Sequence, residues 1–153
     1  MAQSLLIAIV FTLSSVTAFA QPRGGRVEYV GGTVEQLPSG SQGELHTTNA
    51  YSMLVTTKRV AIGVPYKRIN LLEYGQNANR RIAMAVIVSP LFLLSKARKH
   101  FLTVGYTDDA GNQQAMVFRV EKGNIRAMLA SLEARTGLKV QFQDEEARKA
   151  GKG

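Results

Sequence analysis

Residues 101–120 read FLTVGYTDDAGNQQAMVFRV. Phe101 to Thr107 are mostly β-branched or aromatic, Asp108-Asp109-Ala110-Gly111-Asn112 gathers turn formers, and Gln114 to Val120 returns to an apolar, β-prone run. Two such runs across a five-residue polar turn predict an antiparallel hairpin, because the turn residues tolerate reversed backbone geometry while the flanks fit a pleated, half-buried surface. The chain is therefore read as β-rich around this hairpin.

Working upstream, the same pattern recurs at 27–30, 43–47, 52–57, 59–64 and 66–72, separated by Gly31-Gly32, Pro38-Ser39-Gly40 and Asn49-Ala50. Val60, Ile62 and Val64 alternate with Ala61 and Gly63, as in a strand with one buried face. Pro65 lacks an N–H and limits pairing, so a bend or bulge is expected where one strand hands over to the next. Downstream, Ile125, Met128, Leu129 and Leu132 fall on one face of a helix that Asn124 is placed to cap and Gly137 to end. Leu138, Val140 and Phe142 then alternate in a short extended segment. Residues 143–153 are too polar to bury and are expected to be disordered. The predicted class is mainly β with one C-terminal α-helix.

A chain of 153 residues, 45% apolar and 20% charged, fits one domain. It has no cysteine and two histidines, which removes disulfides, thiolate chemistry and most histidine-based metal sites. Residues 1–20 carry no Lys, Arg, Asp or Glu. Leu5 to Phe11 form an apolar run, and Ala18-Phe19-Ala20 place small residues three positions and one position before Gln21. That is the pattern of a cleaved signal peptide, although it has no Lys or Arg near its start, so an exported, periplasmic or extracellular mature chain from Gln21 is expected; an uncleaved N-terminal anchor and a cytosolic chain with an apolar start are the other readings. Residues 21–42 then read as a linker and first strand, and 43–142 as the main domain with an apolar insertion at 82–94.

The net charge of +8 is concentrated. From Lys58 to His100 stand Lys58, Arg59, Lys67, Arg68, Arg80, Arg81, Lys96, Arg98 and Lys99 against the single acid Glu73, while the rest of the chain is balanced. The densest cations bracket Ile82, Ala83, Met84, Ala85, Val86, Ile87, Val88, Ser89, Pro90, Leu91, Phe92, Leu93 and Leu94. As a helix these thirteen residues would rise about 20 Å, short of the roughly 30 Å of bilayer hydrocarbon, and Pro90 would interrupt them. The basic ends favour one aqueous side, which suggests a dip that returns. Ile82, Met84, Val86, Ile87, Val88, Leu91, Phe92, Leu93 and Leu94 would enter the acyl region while Arg80, Arg81, Lys96, Arg98 and Lys99 meet lipid headgroups. Two other readings stand beside this one: a plain core segment or covered hairpin, and a surface for a protein partner.

The string VPYKRINLLEYG, residues 64–75, with the late hairpin and closing amphipathic helix, resembles the strand pair of pleckstrin-homology-like and GRAM-like domains. The resemblance covers about residues 44–142. It implies a bent antiparallel sheet or partly open barrel plugged at one end by the helix, binding lipid headgroups or peptides through basic loops. The chain also resembles small uncharacterised bacterial exported proteins with a SLEARTG stretch, here residues 131–137.

No nucleophile, base and orienting acid assemble in the sequence, and neither an enzyme nor a cofactor is expected. Glu44 and His46 share a strand face without a third ligand and read as surface residues. Asp108, Asp109 and Asn112 offer too few oxygens for a calcium loop and read as turn formers. Gly24, Gly25, Gly31 and Gly32 lack the context of a phosphate cradle. Lys58, Arg59, Lys67 and Arg68 around Tyr66 resemble a stacking basic patch, but an exported protein seldom meets nucleic acid. The expected function is a non-enzymatic, envelope-associated module that contacts an anionic membrane; the alternative is a protein–protein interaction or assembly module whose same surface meets an acidic envelope protein or a second copy of the chain.

Overall fold

The protein was analysed as a computed structural model that describes residues 24–76 and 99–152. Among these, eight strands form one sheet: β1 (Gly25–Gly32), β2 (Ser41–His46), β3 (Ser52–Thr57), β4 (Ala61–Pro65), β5 (Ile69–Gly75), β6 (His100–Thr107), β7 (Gln113–Val120) and β8 (Gln141–Phe142). Two helices follow β7: α1 (Ile125–Thr136) and α2 (Glu145–Lys152).

The sheet order is β4-β3-β2-β1-β7-β6-β5-β8. All pairings are antiparallel except β8 on β5. Two meanders, β1 to β4 and β5 to β7, are thus joined through β1 and β7. The hairpin of β6 and β7 pairs His100 with Val120 and Thr107 with Gln113. Its turn is held by Asp108, whose Oδ1 accepts from the N–H groups of Ala110 and Asn112 at 2.9 and 2.8 Å. The same bonds, with the Gln114 amide, lower the Asp108 pKa below the ordinary carboxylate value.

Although β4 and β5 lie far apart in the sheet order, only the single 3₁₀ turn Tyr66–Arg68 connects them. The sheet must curl to bring these strands together, yet they do not pair, so it is open and not a closed barrel. Pro65 ends β4 at this corner, as its missing N–H predicts. A second distortion falls in β1, where the register shifts between Tyr29 and Gly31. Gly32 there has φ 152°, and a Cβ would lie 2.3 Å from the Ala115 carbonyl oxygen, an approach open only to glycine.

The core lies inside the curl. Tyr29, Leu45, Met53, Leu72, Leu102 and Phe118 are buried there, and α1 closes it with Ile125, Met128, Leu129 and Leu132. Gly137 ends α1 in the left-handed conformation, with its N–H on the Glu133 carbonyl at 2.9 Å. Asn124 occupies the N-cap position but its side chain makes no cap bond; its Nδ2 reaches Glu121 instead.

The expected single helix becomes two, and the expected disordered tail at 143–153 contains α2. The physical reason is that α2 needs little apolar bulk. Ala147 and Gly151, four apart on one face, are its buried residues, and Asp144 Oδ1 accepts the Ala147 N–H at 2.7 Å. The β1 strand lies mid-sheet between β2 and β7, and so belongs to the domain that the sequence placed at 43–142.

Candidate functional site

The strands β5 and β6 are paired neighbours, with Gly75 opposite Phe101. Residues opposite one another in an antiparallel pair have Cα atoms only about 5 Å apart. The connection between Gly75 and His100 therefore starts and finishes at one point on the rim of the sheet, although it is 24 residues long. Hairpin loops are usually about 2–5 residues, and much longer ones tend to carry function. Both basic flanks of the apolar run belong to this connection.

Arg80, Arg81, Lys96 and Arg98, and the apolar positions from Ile82 to Leu94, lie outside the described residues. Lys99 is described. It lines a hollow of about 260 Å³ with Arg26, Glu28, Arg119 and Glu121. Two of those cations are already matched: Arg26 meets Glu121 at 3.4 Å and Arg119 pairs with Glu28. Among the described residues Lys99 meets no acid at salt-bridge distance.

Next to Lys99, the His100 ring stacks on Tyr74 with centroids 6.0 Å apart, and its Nδ1 is hydrogen-bonded to the Tyr74 hydroxyl. Burial, followed by the positive charge of Lys122, lowers the His100 pKa below the ordinary imidazole value. Burial likewise raises that of Tyr74, so both groups are neutral near pH 7. Lys122 stands two residues beyond Val120, the partner of His100, and its field acts on His100; Arg126, whose Nε donates to the Ala150 carbonyl at 3.2 Å, acts on Tyr74. The rim thus carries Lys99, Lys122 and Arg126 beside the ends of the long connection. Asp144, which also acts on Tyr74, joins Glu28 and Glu121 of the Lys99 hollow as an acid at this end. Sequence reading missed Lys122 and Arg126, although the hairpin register that places Val120 against His100 signals that the next residues return to this end.

In β6, Leu102 and Val104 face the core, so alternation puts Phe101 and Thr103 on the outer face. Phe101 and Thr103 are each 5% exposed and Val117, opposite Thr103, is 2% exposed, although both helices direct their buried side chains to the inner face.

Of the remaining sequence candidates, Asp108, Asp109 and Asn112 lie in the turn at the opposite end of β6 and β7, whereas Glu44 is paired opposite Arg26, which lines the hollow with Lys99. Glu44 and His46 do meet, His46 Nε2 lying 3.4 Å from Glu44 Oε2 and 3.1 Å from Thr56 Oγ1. Among the described residues no cluster of three His, Asp or Glu side chains is gathered to hold a metal ion, and no helix is long and apolar enough to cross a membrane. No protein-family model matches the chain and no curated protein is similar to it in sequence.

Proposed function

We propose that the protein is a non-enzymatic binding module of the cell envelope, with a PH-like or GRAM-like sheet, that docks on anionic membrane through Arg80, Arg81, Lys96, Arg98 and Lys99 and inserts the apolar run between them. The observation that supports this reading is the pairing of Gly75 with Phe101. It brings together the two points from which the connection departs and to which it returns, which supports a reading in which the cations at both ends meet one headgroup layer while the run between them dips and returns. Each cation near an anionic surface contributes about 1 kcal/mol, and Lys122 and Arg126 add to the field at the same rim.

Flotation with phosphatidylcholine vesicles, with and without phosphatidylglycerol, tests the proposal. Binding is expected only to the anionic vesicles. Reversal of all five cations to Glu should weaken it at least tenfold, about 1.4 kcal/mol. Equal, negligible flotation of both proteins removes the membrane reading.

The burial of Phe101, Thr103 and Val117 on the outer face favours a second reading, in which the apolar run covers that face as a satellite core. Deleting residues 77–98 separates the two, because it lowers stability only if the run covers that face.

A further inference from the structure

The strand β4 is an edge whose backbone polarity can be assigned atom by atom. The Thr57 N–H donates to the Val60 carbonyl at 2.8 Å and the Tyr66 N–H to the Tyr51 carbonyl at 3.0 Å. Between these two bonds the register pairs Val55 with Ile62 and Met53 with Val64. In an antiparallel pair, hydrogen-bonded positions alternate, so Val60, Ile62, Val64 and Tyr66 spend their backbone groups on β3. Ala61 and Gly63 therefore aim both N–H and C=O away from β3, and Pro65 aims its carbonyl alone. Among the described residues no strand lies beyond them.

Edges of this kind are usually blunted by shortness, charge, proline or a bulge within the strand, or by an element laid over them. Here the strand is AIGVP, with no charge, and Pro65 blunts only its last position. Ala61 and Gly63 are exposed, and a Cβ added to Gly63 would meet nothing within 4 Å. A hollow of about 520 Å³ runs beside the edge, walled by Ala61 to Pro65 on one side and by Tyr106 to Asp109 on the other.

Cations stand at both ends of the edge, while the far wall of the hollow carries two acids, Asp108 and Asp109. Lys58 and Arg59 precede the strand and Lys67 and Arg68 follow it. On the far wall, Asp109 is already paired with Arg68, and Asp108 is occupied by the amides of its own turn. Glu35, beside the lining residues Val34 and Gln36, remains as an opposing acid. Among the described residues Lys58, Arg59 and Lys67 form no ion pair.

We propose that the outer edge of β4 takes an extended acidic segment of another protein as an added strand. Its backbone would bond Ala61 and Gly63, and its acidic ends would meet Lys58-Arg59 at one end of the edge and Lys67 at the other. The five residues of β4 span about 17 Å, so a segment of similar length with carboxylates at both ends fits. This surface is distinct from the rim that carries Lys99, and the inference does not rest on the membrane reading.

The probe is a fluorescein-labelled peptide, Glu-Glu-Val-Thr-Val-Glu-Glu, acetylated and amidated, measured by anisotropy on the full chain. Two changes at one position separate strand addition from charge attraction. Gly63→Ala keeps the outward N–H and has open space for its methyl group, so its affinity should stay within about twofold of the wild type. Gly63→Pro removes that N–H while leaving the ladder to β3 intact, and should weaken binding at least about tenfold. Lys58→Glu with Arg59→Glu should also weaken it at least about tenfold. Unlabelled peptide should compete, whereas its N-methylated-valine version and oligothymidylate of equal charge should not. Absent binding, undiminished binding by Gly63→Pro, or equal competition by the N-methylated peptide or the oligonucleotide overturns the proposal. If circular dichroism shows that Gly63→Pro does not fold, the N-methylated competitor against wild type decides.

Discussion

Tyr74 is fully buried and its hydroxyl bond to His100 ties β5 to β6 at the point where the long connection begins. Desolvation and Lys122 lower the His100 pKa from 6.5, so the folded state takes up a proton less readily than the unfolded chain. The stabilisation from a neutral His100 is therefore complete above pH 6.5 and is lost as the pH falls through the lower folded-state value. His100→Gln removes this linkage while retaining a polar side chain. Thermal melts from pH 7.5 down to about 5, on either side of the imidazole range, should show the wild type losing Tm more steeply than the variant. Parallel curves would mean that His100 titrates alike in both states. His46 is unchanged in the comparison and cancels.

At the scale of elements, what the sequence shows depends on what each element buries. The β6–β7 hairpin and α1 bury large side chains at fixed spacing, and both were legible from alternation and from Ile125, Met128, Leu129 and Leu132. The helix α2 was not, because its contact face is Ala147 and Gly151, and close approach leaves no hydrophobic signature. A Cβ on Gly151 would sit 2.6 Å from Phe142 Cε1, which shows how tightly this face is seated. The Asn124 cap was anticipated from residue type alone and failed because its side chain reaches Glu121. For α2 the expected consequences are specific. Ala147→Asp places a carboxylate at a fully buried position and should cost about 2–3 kcal/mol, whereas Asp144→Ala removes the cap and should cost about 1 kcal/mol. Urea titrations measure both; a near-zero effect of Ala147→Asp would show that α2 is dispensable to the fold.

For the whole molecule, the decisive nonlocal feature is the contact of β1 with β7, which closes two meanders into one curled sheet. No periodicity reveals a pairing over that separation, so the element list was legible from the sequence while the order was not. The candidate site divided in the same way: its cations were visible as composition, but that Lys99 shares an end of the sheet with Lys122 follows from the register of β6 and β7. That register also makes the long connection removable in principle, since Gly75 and Phe101 stay paired without it. Replacing residues 77–98 by a two-residue Asn-Gly turn leaves, with Gln76 and Lys99, a four-residue connection in place of the 24 between β5 and β6. Loop-closure entropy then favours the shortened chain by about 1.6 kcal/mol. If the run serves the membrane alone, the variant keeps or raises its stability in urea and loses flotation with anionic vesicles. If the run covers the outer face, uncovering Phe101 and Val117 costs about 1.5–3 kcal/mol for each, more than the entropy returns. The variant is then less stable than the wild type and binds a hydrophobic dye. The two readings therefore predict opposite signs for one measured stability difference.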